Sequence, residues 1–153
     1  MLAILLGWSG IATAEDLVAT LEVIGAHAKQ TATSEQPKTP RKGPPAVLAA
    51  KPDEEMTLHW TVQNKGKQKF EDLLVHFFVT RANPAGVEGP PDMRPDKVVI
   101  EGALTLDMAA NSTTGTLSFR VHDPGMYIVR VEVEGPKTVE FIEPVATLDL
   151  EVK

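Results

Sequence analysis

Met56-Thr57-Leu58-His59-Trp60-Thr61-Val62-Gln63-Asn64-Lys65-Gly66 is the stretch that decides the fold. Met56, Leu58, Trp60 and Val62 are apolar at every second position, and Thr57, His59, Thr61 and Gln63 fill the positions between. Side chains alternate across a β-strand, so this spacing describes a strand with one buried and one wet face. Asn64-Lys65-Gly66 then reads as a tight turn, with the glycine taking the left-handed conformation such turns use. No long stretch of the chain shows the three- and four-residue apolar spacing of a helix.

The same alternation recurs to either side. Leu17, Ala19, Leu21 and Val23 share one face of an earlier strand. Asp72 to Thr80 is apolar on both faces. Val98 to Met108 sets Val98, Ile100, Leu104, Leu106 and Met108 on one side, with Gly102 read as a bulge. Leu117, Phe119 and Val121 alternate with polar residues, as do Tyr127, Val129, Val131 and Val133, and finally Ala146, Leu148, Leu150 and Val152. Asn111-Ser112 and Asp123-Pro124-Gly125 supply turns. Seven strands in sheets with one buried and one wet face predict an all-β fold, a two-sheet immunoglobulin-like sandwich whose core includes Trp60, Phe77, Phe119 and Tyr127.

Composition agrees with that class. The 153 residues carry 12 prolines and 11 glycines, which suit short strands joined by turns. With 42% apolar residues the chain can bury a core without cross-links, and it has no cysteine to form any. A formal net charge of -6 argues against a nucleic-acid partner, which selects for a basic surface. Two connections are long and proline-rich, residues 27–55 and 82–97. In an immunoglobulin-like topology both emerge at the same end as Asp123-Pro124-Gly125, where binding loops commonly sit.

The first residues suggest export. Leu2-Ala3-Ile4-Leu5-Leu6 begins an apolar run that ends at Ala12-Thr13-Ala14, a small-x-small cleavage pattern followed by Glu15-Asp16. The run falls short of the roughly 20 residues a membrane-spanning helix needs. It is read as a signal peptide over residues 1–14, ahead of one domain over 15–153 in a periplasmic or secreted protein. After cleavage the chain would not span a membrane. No Lys or Arg precedes the run, which points to a true start or a basic region upstream of Met1; a short buried helix or strand at the start of the fold is the competing reading.

Two motifs carry a family resemblance. Trp60-Thr61-Val62-Gln63-Asn64-Lys65-Gly66 and Asp123-Pro124-Gly125-Met126-Tyr127-Ile128-Val129-Arg130-Val131 resemble the strand-turn and late-strand signatures of CARDB-type bacterial domains and their immunoglobulin-like relatives. The resemblance runs over residues 16–153, and the long connection after the first strand departs from the family's compact pattern. It implies a non-catalytic extracytoplasmic module used for adhesion or assembly, and it transfers no binding residues.

Chemistry-bearing motifs are few. The chain has no Gly-x-Ser-x-Gly elbow, His-Glu-x-x-His pair or phosphate-binding glycine loop, so no catalytic residue is assigned. Asp53-Glu54-Glu55 and Glu71-Asp72 read as solvated turn charges, and Asn111-Ser112-Thr113 matches a glycosylation sequon. His27, His59, His76 and His122, with Met56, Met93, Met108 and Met126, raise the question of a metal. Met56 and Met108 fall on core faces. Pairing that sets His59 opposite roughly residue 119 leaves His122 about 10 Å away at strand rise, too far for one ion. No metal or cofactor is assigned.

The strand from Asp72 to Thr80 offers the candidate binding surface. Leu73, Val75, Phe77 and Val79 are uniformly apolar and predict the core face, which turns Leu74, His76 and Phe78 outward. If Thr80 lies near Met126 on the neighbouring strand, Phe78 sits beside Ile128 and His76 beside Arg130. Leu74, His76, Phe78, Ile128 and Arg130 then form an interface for a protein partner or a second copy. Alternatively, the 27–55 connection folds over this face with Val47 and Leu48 as a lid, or the register differs. The function expected is that of a protein-contact domain, an accessory subunit of a cell-envelope assembly. A small periplasmic metal (copper) or ligand carrier is the alternative. The export reading has a direct check: the intact mass of the native protein should correspond to a chain beginning at Glu15, and a mass that retains Met1 to Ala14 defeats it.

Overall fold

Nine strands run through the residues described by the computed structural model, which are 16–35, 46–109, 111–135 and 143–153. They are β1 (Leu17–Ile24), β2 (Lys29–Thr33), β3 (Val47–Ala50), β4 (Met56–Asn64), β5 (Phe70–Arg81), β6 (Val98–Met108), β7 (Ser112–Phe119), β8 (Gly125–Glu134) and β9 (Val145–Val152). One sheet has the order β2-β1-β4-β7 and the other β3-β9-β8-β5-β6. Their inner faces close on one core of alternating side chains, as in an immunoglobulin-like sandwich. The expected signal segment and residues 36–45 of the first proline-rich connection lie outside the described residues.

The seven expected strands are present, and the two additional ones fall inside the stretch 27–55, a long proline-rich connection by its sequence. β2 is Lys-Gln-Thr-Ala-Thr, whose alternation carries a single apolar residue, Ala32, so it looks polar in sequence. It forms by pairing antiparallel with β1, Thr31 opposite Glu22. β3 runs parallel to β9, with Leu48 beside Leu150. This placement overturns the lid: Leu48 is a buried core residue on the sheet edge and Val47 is exposed.

Two aromatic rings, one from each sheet, bridge the layers: Trp60 is buried in the core, whereas Phe77, expected in the core, is half-buried against it. Trp60 of β4 stacks on Phe77 of β5 with centroids 6.0 Å apart and an interplanar angle of 20°. Each ring lies across a glycine of the neighbouring strand. Trp60 pairs with Gly115 and Phe77 with Gly102. A Cβ on Gly115 would fall inside the indole, and one on Gly102 inside the Phe77 ring. Gly102 is therefore an ordinary ladder position that makes room for a ring, and the bulge reading is corrected. The shifts of register lie elsewhere in β5, between Phe70 and Leu73 and between Val79 and Thr80. At the first of these Asp72 takes a positive φ of 54°, and its N–H donates to Asp107 Oδ1.

Buried polar groups at the strand ends lock the turns. Asn64 is 4% exposed. Its Nδ2 donates to the carbonyls of Gln68 (2.7 Å) and Ala109 (2.9 Å), and its Oδ1 accepts from the Gly66 amide (3.0 Å). The Asn-x-Gly turn is thus held by a fully used amide. Gly66 is not among the positive-φ residues, and what excludes a side chain there is Asp16 packed against it. At the opposite end Tyr127 donates its hydroxyl to the Asp123 carbonyl at 2.8 Å, the tyrosine corner of immunoglobulin-like sandwiches.

Removing the indole leaves a large void, so Trp60→Ala should cost about 3–5 kcal/mol in reversible urea unfolding. Gly115→Ala should cost about 1–3 kcal/mol by overpacking. Because the new methyl meets only the indole, most of that cost should vanish when Trp60→Ala is already present. Additive losses in the double-mutant cycle would show that the ring does not lie over Gly115.

Candidate functional site

Alternation along β5 and β8 places a charged cluster on the outer face of the five-stranded sheet. His76 on β5 pairs directly with Glu132 on β8, and Phe78 is flanked by Glu101 on β6 and Arg130 on β8. Both β5 and β8 are interior strands, so the cluster stands on backbone hydrogen-bonded from both sides. His76 Nδ1 lies 3.0 Å from Glu132 Oε1, and Nε2 lies 2.8 Å from Glu101 Oε1. Glu134, two residues beyond Glu132 on the same face, completes a triad. One ligand atom each from His76, Glu132 and Glu134 lie within 4.8 Å of one another. Arg130 Nε is buried 3.0 Å from Glu132 Oε2, an ion pair whose N–H is not aligned for a hydrogen bond.

Burial of the His76 ring disfavours its charged form, but hydrogen bonds to Glu132 and Glu101 and the charges of both carboxylates outweigh it. They hold the His76 pKa above the usual 6.5. Both carboxylates accept only, so the protonated ring, with a proton on each nitrogen, satisfies both contacts at once.

The five residues expected to form an interface do share one face, in a register two residues from the one expected. Thr80 pairs with Ile128, Phe78 with Arg130 and His76 with Glu132. His76 therefore meets a carboxylate where Arg130 was expected. Leu74, His76, Ile128 and Arg130 are half-buried, but Phe78 is 2% exposed. Its ring lies 5.0 Å from that of His76, tilted by 48°. Long charged side chains in the flanking positions cover an aromatic with their methylene stems. Phe78 thus belongs to a small buried patch on the outer face and is no exposed contact residue. The apolar side chain that the register leaves open is Met126, 41% exposed at the start of β8.

The connection 82–97 buttresses that end. Thr80 Oγ1 donates to the Asp92 carbonyl (2.6 Å), the Ala82 amide to the Met126 carbonyl (2.9 Å), and Asn83 Nδ2 to the Pro90 carbonyl (3.2 Å). Arg94 grips the Asp92 carboxylate through Nε and Nη2, which lowers the Asp92 pKa to about 2. The turn at 51–55 joins the same end through the Asp53 amide, which donates to the Val121 carbonyl at 2.8 Å. Its acids are not simply solvated. Asp53 pairs with His122 and Glu55 with Arg120. Glu54 accepts from the amides of Lys51 and Ala26, in that order of effect, and its pKa is lowered.

The remaining histidines are dispersed. His59 pairs opposite Thr116 and bonds its hydroxyl at 2.8 Å, while His122 lies beyond the end of β7. What the sequence reading missed is the triad of His76, Glu132 and Glu134. Its signal was present, because all three occupy outward positions on neighbouring strands. The two-residue error in register put Arg130 in the place of Glu132.

A histidine whose pKa is higher folded than unfolded stabilises the fold most when protonated. The contribution is fully present below the unfolded value of about 6.5 and is lost as pH rises through the folded one. In chelator-treated buffer, wild type should therefore lose stability relative to His76→Gln as pH rises through this window. An NMR titration should place the His76 pKa above that of the free side chain, and Glu132→Gln should lower it. A stability difference independent of pH would exclude the ion-paired histidine.

No family model and no curated protein matches the sequence. Among solved structures the chain is similar to the CARDB domain of a Pyrococcus furiosus protein in complex with di-metal ions. The identity is 18%, the match covers 88% of this chain and 91% of that one, and the TM-score is 0.44. It is also similar to the PmoD soluble domain from Methylocystis sp., at 13% identity, 88% and 90% coverage and a TM-score of 0.43. The C-terminal domain of wzt matches at 8% identity, 87% and 70% coverage and a TM-score of 0.46. The assignment to an immunoglobulin-like sandwich rests on the sheet orders and registers of this chain.

Proposed function

We propose that this chain is an exported, non-catalytic immunoglobulin-like domain that makes protein contacts as an accessory subunit of a cell-envelope assembly. The observation that carries the reading is the outer face of the five-stranded sheet. There Ile128 is half-exposed and Met126 exposed, on a face opposite the core and beside a connection braced by its own hydrogen bonds, while Leu74 lies at the far end of the face beyond the charged cluster. Apolar side chains grouped on a rigid sheet face are suited to burial against another protein, and the charged cluster beside them supplies orientation. Among the described residues no helix is long and apolar enough to cross a membrane, which accords with an exported mature domain.

Ile128→Lys tests the surface. Ile128 stands outward directly opposite Asp149, so an introduced lysine meets a carboxylate and the melting temperature should stay near that of wild type. It should abolish self-association in sedimentation, or cross-linking to a stoichiometric partner in the native envelope fraction. A stable Ile128→Lys chain that keeps the wild-type assembly state and cross-links would overturn the proposal.

A further inference from the structure

We infer that His76, Glu132 and Glu134 form a binding site for a divalent transition-metal ion such as Zn2+, with Glu101 positioning the histidine. The three ligand atoms already lie within 4.8 Å of one another. A zinc ion takes nitrogen and oxygen ligands at about 2.0–2.2 Å, so a tetrahedral site sets its ligand atoms roughly 3–3.5 Å apart. The 3.0 Å between His76 Nδ1 and Glu132 Oε1 is close to that, and small side-chain rotations bring in Glu134.

The hydrogen bonding orients the ring for this role. With Nε2–H donating to Glu101 Oε1, the neutral imidazole turns its Nδ1 lone pair toward Glu132. A lone pair facing a carboxylate at that distance requires a cation between or upon them, which a proton or a metal ion can provide. A carboxylate on the far nitrogen of a ligating histidine is the usual outer-shell partner of such sites. Arg130 engages Oε2 of Glu132 and leaves Oε1 for the ion. Glu101, Glu132 and Glu134 against Arg130 leave the neighbourhood with an excess of negative charge, which favours a dication. One imidazole with two carboxylates selects Zn2+ or a similar borderline ion over Mg2+, which prefers oxygen ligands alone in an octahedron. Three protein ligands leave a fourth position open, on the outer face of the sheet.

The test is titration of Zn2+ into the metal-free full chain, followed by calorimetry and by NMR of the histidine rings. One equivalent should bind and shift the His76 ring with the pattern of Nδ1 coordination before those of His27, His59 and His122 respond. Glu134→Gln removes a ligand whose carboxylate makes no hydrogen bond among the described residues. It should weaken Zn2+ binding about tenfold or more at an unchanged metal-free melting temperature, and Mg2+ should not compete. Absence of stoichiometric binding, first binding at another histidine, or an affinity unaffected by Glu134→Gln would each overturn the site.

Discussion

The Trp60 indole can lie flat across β7 only because the residue opposite it has no side chain. Gly115 supplies that gap, as Gly102 does for Phe77 on the other sheet. The two rings meet between the sheets, Trp60 buried and Phe77 half-buried against the core, so one stacked pair bridges the two layers. A branched residue at either glycine would push a ring off its strand and part the sheets, which is why the rest of the packing depends on this contact.

From that centre the strands carry two different kinds of surface outward. The inner faces are apolar, and burial of each large side chain contributes on the order of 1.5–3 kcal/mol. The outer face of β5 and β8 is mixed: His76, Glu101 and Arg130 flank Phe78, an aromatic ring buried without being part of the main core. Such a patch is stable because the charged groups pair with one another while their stems cover the ring. The same pairing makes the patch responsive to cations, since a proton or a metal ion can satisfy the carboxylates that converge on one imidazole.

Strand end and strand face divide the work. Turns are fastened by single polar side chains, Asn64 at one end and Tyr127 and Glu54 at the other. With the ends fixed, side chains on the interior strands hold their relative positions. The cluster around His76 owes its short distances to that rigidity.

The seven expected strands, the two-sheet architecture and most of the core were legible from sequence because alternation is a local property. The alternating stretches state their own buried face without reference to the others; β5, apolar on both faces, does not, and there Phe78 is more deeply buried than Phe77. β2 and β3 escaped notice because their burial comes from a neighbour: β2 has one apolar residue on its inward face, and β3 is four residues long. The outward set on β5 could be read, yet its partners on β8 could not. Register depends on where turns close and where β5 bulges, at Asp72 and before Thr80, and a shift of two residues preserves every face while exchanging every neighbour. The sequence by itself determined which side chains face the core and which face out. Only the tertiary structure decided that His76 meets Glu132, Glu134 and Glu101, because cross-strand pairing is set by the packing of the whole sheet.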